Sequence, residues 1–158
     1  MREVRRSALL PYSPEQLYGL VVAVERYPEF LPWCTSATIL AEEGDEVTVK
    51  LGLSSGIARA SFTTRNLHEP GRSVTMSLVD GPFDQLEGRW EFTPIRKEGT
   101  RADLQVRFST HGLIGALALG PAFEGICNHL VDAFARRAKQ AIAPGDAPVV
   151  QLDRARAF

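Results

Sequence analysis

Between Thr35 and Phe108 apolar side chains recur at every second residue, and this period most limits the folds open to the chain. Successive side chains of a strand point to opposite faces, so the alternation writes one apolar and one polar face. Val47, Val49, Leu51 and Leu53 alternate with Thr48, Lys50 and Gly52. Ala58, Ala60, Phe62 and Thr64 then alternate with Arg59, Ser61, Thr63 and Arg65, up to a Pro70-Gly71 turn. Val74, Met76 and Leu78 follow, then Leu86, Trp90 and Phe92, then Ala102, Leu104, Val106 and Phe108. Turn residues between these segments predict an antiparallel meander. With the segment 3–10 and the stretch opening at Thr35, the sheet has about seven strands and one apolar face.

Such a face needs a cover, because leaving it wet forfeits ~25 cal/mol per Å² of apolar area. The rest of the chain supplies one. Phe123, Ile126, Cys127, Leu130, Phe134 and Ala138 recur at helical spacing, with Glu124, Asn128, Asp132, Arg136 and Lys139 on the other side. Upstream, residues 113–119 are apolar and small, and Gly120-Pro121 follows, which predicts a kink or break there. The segment 113–119 is expected to be buried; its alternative reading is a membrane-touching lip, or a gate if it moves independently of the helix.

Ser13-Pro14-Glu15-Gln16 predicts an N-cap followed by a helix from 14 to about 24, with Leu17, Leu20, Val21 and Val24 on one face. Residues 27–33, with a proline near each end and aromatics beside them, read as a short turn or helix plugging one end of the fold. After Ile142 two prolines and a glycine interrupt a stretch without either period, so 143–158 is expected to be a flexible tail behind a domain of residues 1–142.

The 158 residues suit one domain. A formal net charge of −1, from 18 Lys and Arg against 19 Asp and Glu, gives no global attraction to nucleic acid, and DNA is not an expected partner. No apolar run reaches the ~18 residues of a membrane span, so a cytoplasmic location is expected, with peripheral contact at the inner membrane as a further option. Cys34 and Cys127 lack metal or redox spacing and read as buried small hydrophobes. His68, His111 and His129 form no cluster with carboxylates or a nucleophile. No metal site and no catalytic residue are expected, since acid–base chemistry needs a positioned group within reach of its substrate.

Several local sequences carry a narrower resemblance. They are Tyr27-Pro28-Glu29-Phe30-Leu31-Pro32 with Cys34, Phe62-Thr63-Thr64-Arg65-Asn66, Val79-Asp80-Gly81-Pro82-Phe83, Leu86 with Gly88, Trp90 and Phe92, and Leu130-Val131-Asp132-Ala133-Phe134 with Arg137-Ala138. In this order, over roughly residues 3–140, the chain resembles the START-like coenzyme-Q-binding and ribosome association toxin family, within the polyketide cyclase/dehydrase and lipid transport superfamily. The resemblance implies an α+β helix-grip fold, START-like and Bet v 1-like, in which a curved antiparallel sheet wraps a long C-terminal helix. It implies a tunnel that in some members holds ubiquinone. It also implies, as the alternative, a toxin that binds the large ribosomal subunit and blocks subunit joining. A cyclase/dehydrase enzyme is the third reading.

The expected function is therefore non-catalytic binding of a hydrophobic molecule, ubiquinone or a related isoprenoid lipid, in support of respiration or quinone biosynthesis, with no cofactor required. The expected apolar lining comes from the sheet through Trp33, Leu51, Phe62, Thr64, Met76, Leu78, Trp90, Phe92, Val106 and Phe108. From the helical region it takes Leu117, Phe123, Ile126, Cys127, Leu130 and Phe134. Thr64, Arg65, Asn66 and His129 are the candidate donors to a polar head. Asp80, Gly81, Pro82 and Phe83 form a turn expected at the pocket mouth, with Phe83 touching ligand or membrane. Arg2, Arg5, Arg6, Arg136, Arg137 and Lys139 are expected as solvated surface, and would make one basic patch if the first strand lies near the end of the last helix.

Overall fold

The computed structural model describes residues 1–97 and 99–142. The seven strands β1 (Arg2–Leu10), β2 (Cys34–Glu43), β3 (Glu46–Ser55), β4 (Ala58–Glu69), β5 (Ser73–Asp80), β6 (Phe83–Ile95) and β7 (Gly99–Thr110) form one curved antiparallel sheet. Its order is β1-β7-β6-β5-β4-β3-β2, so the first strand closes onto the last and the meander runs to β2 at the far edge. The period-two pattern survives in burial: Val47 and Val49, or Leu104, Val106 and Phe108, are buried between exposed or half-buried neighbours.

Between β1 and β2, helix α1 (Pro14–Val22) starts with the expected cap. The Ser13 hydroxyl accepts from the Gln16 backbone N–H at 3.1 Å, and the Gln16 side chain accepts from the Ser13 N–H at 3.0 Å. A 3-10 turn (Val24–Glu29) follows and places Tyr27, Phe30 and the buried Leu31 against the core, as the plug reading requires. Ser54 N–H donates to the Trp33 carbonyl at 2.8 Å, which ties this plug to β3.

After β7 a one-turn helix α2 (Gly112–Ile114) and a π-helical turn (Gly115–Leu119) lead into α3 (Gly120–Ala141), which lies across the apolar face. The helical path is not broken at Gly120-Pro121. Leu119 keeps ordinary helical dihedrals, φ −74° and ψ −38°, and Pro121 falls in the first turn of α3. The disturbance sits one turn earlier, as a local π-helical widening. The proposed tail, 143–158, lies outside the described residues.

Candidate functional site

Under α3 the sheet and helix leave one apolar cavity of about 90 Å³. Its floor comes from β3 to β7 through Val49, Leu51, Phe62, Thr64, Asn66, Met76, Leu86, Gly88, Trp90, Leu104 and Val106. Its roof is Phe123, Ile126, Cys127, Leu130 and Phe134 of α3, and Val24, Tyr27 and Trp33 close one end. Inward residues of paired strands share a face, and that is why the period-two set converges here. Gly88 pairs with Met76, and a Cβ on Gly88 would stand 2.8 Å from Met76 Cε, so the methionine covers the space the glycine leaves.

The polar content of the cavity is small. The Thr64 hydroxyl donates to Asn66 Oδ1 at 2.8 Å, and both residues are 5% exposed. Their burial together follows from strand alternation, which turns Ala58, Phe62, Thr64 and Asn66 of β4 to the inner face. The Asn66 amide hydrogens, and the indole N–H of Trp90, have no acceptor among the described residues. The Tyr27 hydroxyl donates to the Val21 carbonyl, and burial raises its pKa strongly. Burial likewise pushes the Cys127 thiol up to about 12, and the Cys34 thiol upward too, so both stay protonated. No carboxylate, imidazole or cation lines the cavity, and among the described residues no three His, Cys, Asp or Glu come together as a metal site.

Twelve of the sixteen lining residues read from the sequence meet here; Leu78, Phe92, Phe108 and Leu117 do not. Leu78 stays paired opposite Thr64 and packs against the core without reaching the cavity. Phe92 faces inward but is screened from the cavity by its stack on Trp90, with ring centroids 6.0 Å apart. Phe108 is fully buried beneath Phe123, 4.8 Å away, and Phe83. Leu117 is 71% exposed and Leu113 74%, so burial of 113–119 holds for Leu119 but not for these two. A residue six positions before Phe123 lies off the helix's inward stripe, a signal present in the spacing. Val24, Tyr27, Val49, Leu86, Gly88 and Leu104 complete the lining without having been expected there.

The turn 80–83 is likewise repositioned. None of its residues lines the cavity, and Phe83 is 2% exposed, packed among Phe62, Phe108 and Phe123. A bulge between Phe83 and Gln85 turns both Phe83 and Leu86 inward, where strict alternation from Leu86 sends Phe83 out. Gly81 is needed there: its φ is +147°, and a Cβ would lie 2.7 Å from that of Phe62.

Of the candidate donors, Asn66 and Thr64 reach the cavity, while Arg65 is exposed and pairs with Glu46 at 2.8 Å, and His129 faces solvent. His68 is half-buried against Tyr18 rather than free in a loop, and burial lowers its pKa. His111 pairs with Asp84 at the surface. The conditional basic patch does not assemble, because β1 lies beside the first half of α3. Arg2 pairs with Glu124, and Arg6 donates to Asn128 at 2.7 Å. Arg136, twelve residues past Glu124, is about 18 Å further along the helix, and Arg137 is engaged by Glu29 at 2.7 Å and by the Phe30 ring.

A profile described as polyketide cyclase / dehydrase and lipid transport matches residues 10–135. The chain belongs to the polyketide cyclase/dehydrase and lipid transport family. Within that family, ribosome association toxin RatA of Pseudomonas aeruginosa is 42% identical over 137 residues, covering 87% of this chain and 95% of that one. The mitochondrial coenzyme Q-binding protein COQ10 of Dictyostelium discoideum is 30% identical over 86 residues, 52% of this chain and 42% of that protein. The Zhui aromatase/cyclase from Streptomyces sp. R1128 superposes with a TM-score of 0.79 at 17% identity, covering 90% and 96% of the two chains, which is a likeness of fold. The START-like helix-grip architecture implied by the sequence is thus the architecture of this family member.

Proposed function

We propose that this chain acts by associating with a ribosomal subunit, the large one, and thereby impedes subunit joining in the cytoplasm. The reading is carried by the 42% identity to a ribosome association toxin over nearly its whole length. At about 90 Å³ the cavity is smaller than the ~150 Å³ apolar void that admits benzene, so a quinone ring with an isoprenoid tail has no room while α3 lies as it does. Gradient profiles of ribosomes from cells overproducing the chain test the proposal. Free subunits should rise at the expense of monosomes, and an unchanged profile would sink it.

A second reading, binding of ubiquinone or another hydrophobic molecule in support of respiration, is favoured by the cavity's almost wholly apolar wall with one buried polar pair, and by likeness to a coenzyme Q-binding protein. It requires α3 or the π-helical turn to move. The exposed Leu113 and Leu117 are then the natural point of membrane contact and the gate. Solvent extraction of the chain purified from its own host should recover a quinone or lipid at near-stoichiometric yield; an empty extract rejects this reading. Cyclase/dehydrase catalysis has no support from the cavity, whose titratable groups, Tyr27 and Cys127, are held protonated by burial.

A further inference from the structure

We infer that the solvent face of β2, β3 and β4 is the surface that meets the large ribosomal subunit, and that its partner there is the sugar-phosphate backbone of ribosomal RNA. This rests on the ribosome-associating reading above and names the chemistry of the contact. Strand alternation sends Thr48, Lys50, Gly52 and Ser54 of β3 outward, since Val49, Leu51 and Leu53 face the core. The register lays Thr38, Lys50 and Thr63 in one row across the three strands, Ser36, Gly52 and Ser61 in the next, and Ser54 beside Arg59 in a third. A bulge between Cys34 and Ser36 turns Thr35 onto the same face: a Cβ on Gly52 would stand 2.5 Å from its hydroxyl oxygen and 2.6 Å from that of Ser36. The result is a bed of hydroxyl groups around two exposed cations, Lys50 and Arg59.

These cations differ from other arginines on the sheet. Arg5 is held by Glu3 at 2.7 Å, Arg101 by Asp103 at 3.1 Å and Arg65 by Glu46 at 2.8 Å, whereas Lys50 and Arg59 have no carboxylate partner among the described residues. The carboxylates of the three strands, Glu42, Glu43, Glu46 and Glu69, all lie at the other end of the sheet, and Asp80 of β5 stands at the border opposite Thr63. Two unpaired positive charges among hydroxyls complement a phosphate chain. Hydroxyls donate to phosphate oxygens and exchange hydrogen bonds with a ribose 2′-hydroxyl, and the wide, shallow minor groove of an RNA helix offers both groups to a flat surface.

The test pellets the full chain with purified large subunits over a range of salt concentrations. It compares wild type with Lys50→Gln/Arg59→Gln and with Arg5→Gln/Arg101→Gln, a control that removes the same charge from the ion-paired half of the sheet. All four side chains are exposed, so both variants should fold. Each phosphate contact adds about one to the slope of log affinity against log salt. Lys50→Gln/Arg59→Gln should therefore lose about two from the wild-type slope, so that raising salt from about 50 to about 200 mM weakens it roughly tenfold less than wild type. The control should keep the wild-type slope. A loss in the control at least as large, or no loss in Lys50→Gln/Arg59→Gln, overturns the assignment of this face. A wild-type affinity that does not respond to salt overturns the RNA backbone as the partner. Failure of the wild type to pellet with large subunits at any salt rejects the ribosome-associating reading itself, and this surface with it.

Discussion

Truncating Phe123 to alanine tests how the helix holds the sheet. The ring is 5% exposed and stands 4.8 Å from Phe108, 5.0 Å from Phe83 and 5.8 Å from Phe62, so a single substitution removes one member of three aromatic pairs. Burial loss plus the new void costs ~3–5 kcal/mol for a Phe-to-Ala change. Edge-on ring pairs add ~0.5–1.5 kcal/mol each in the best cases, which argues for the upper half of that range. The expected loss is thus about 4 kcal/mol, a large share of the ~5–15 kcal/mol by which domains are stable. In urea, with m near ~2 kcal/mol/M, the midpoint should drop by about 2 M at unchanged m. Leu117→Ala is the matched control. Leu117 is 71% exposed, so its truncation should stay within ~0.5 kcal/mol. A Phe123→Ala loss below about 1 kcal/mol, or a Leu117→Ala loss equal to it, would refute the assignment of inward and outward faces.

Gly81→Ala should destabilise by about 2 kcal/mol or more, because a Cβ at φ +147° would lie 2.7 Å from that of Phe62; an unchanged melting curve would contradict this. Ser13→Ala removes the capping box of α1 and should cost ~1 kcal/mol in a denaturant titration. Cys127, pushed up to about 12 by burial, should resist iodoacetamide at pH 8 in the folded chain and react once it is unfolded; rapid labelling of the native thiol would show that α3 opens readily. Arg137 holds the Glu29 carboxyl below its ordinary value near 4.5, so the pair stabilises above that pH, and its contribution is lost as pH falls through the lowered native value. Acid unfolding of Arg137→Ala should begin at a higher pH than wild type, which circular dichroism against pH will show.

The sheet and its helical cover were legible because both periods are regular where the elements are regular. Val47 to Leu53 and Ala102 to Phe108 needed only counting. The errors collect where register slips. The bulge at Phe83/Gln85 inverts the side that strict alternation gives Phe83. Tyr27 and Val24 reach the cavity through a 3-10 turn whose packing depends on residues distant in sequence. Gly88 has no side chain to announce an inward position. Asn66 was marked only as a possible donor, although alternation from Phe62 and Thr64 already puts it on the inner face. The kink or break expected at Gly120-Pro121 takes the form of a π-helical turn over Gly115–Leu119, just ahead of the proline, and not of an end to the helical path.

Co-sedimentation of the purified chain with purified ribosomal subunits tests the central claim most directly. The chain should travel with the large subunit and lower the yield of monosomes when the small subunit is added. Recovery of all the chain at the top of the gradient, with monosomes forming in full, would contradict it.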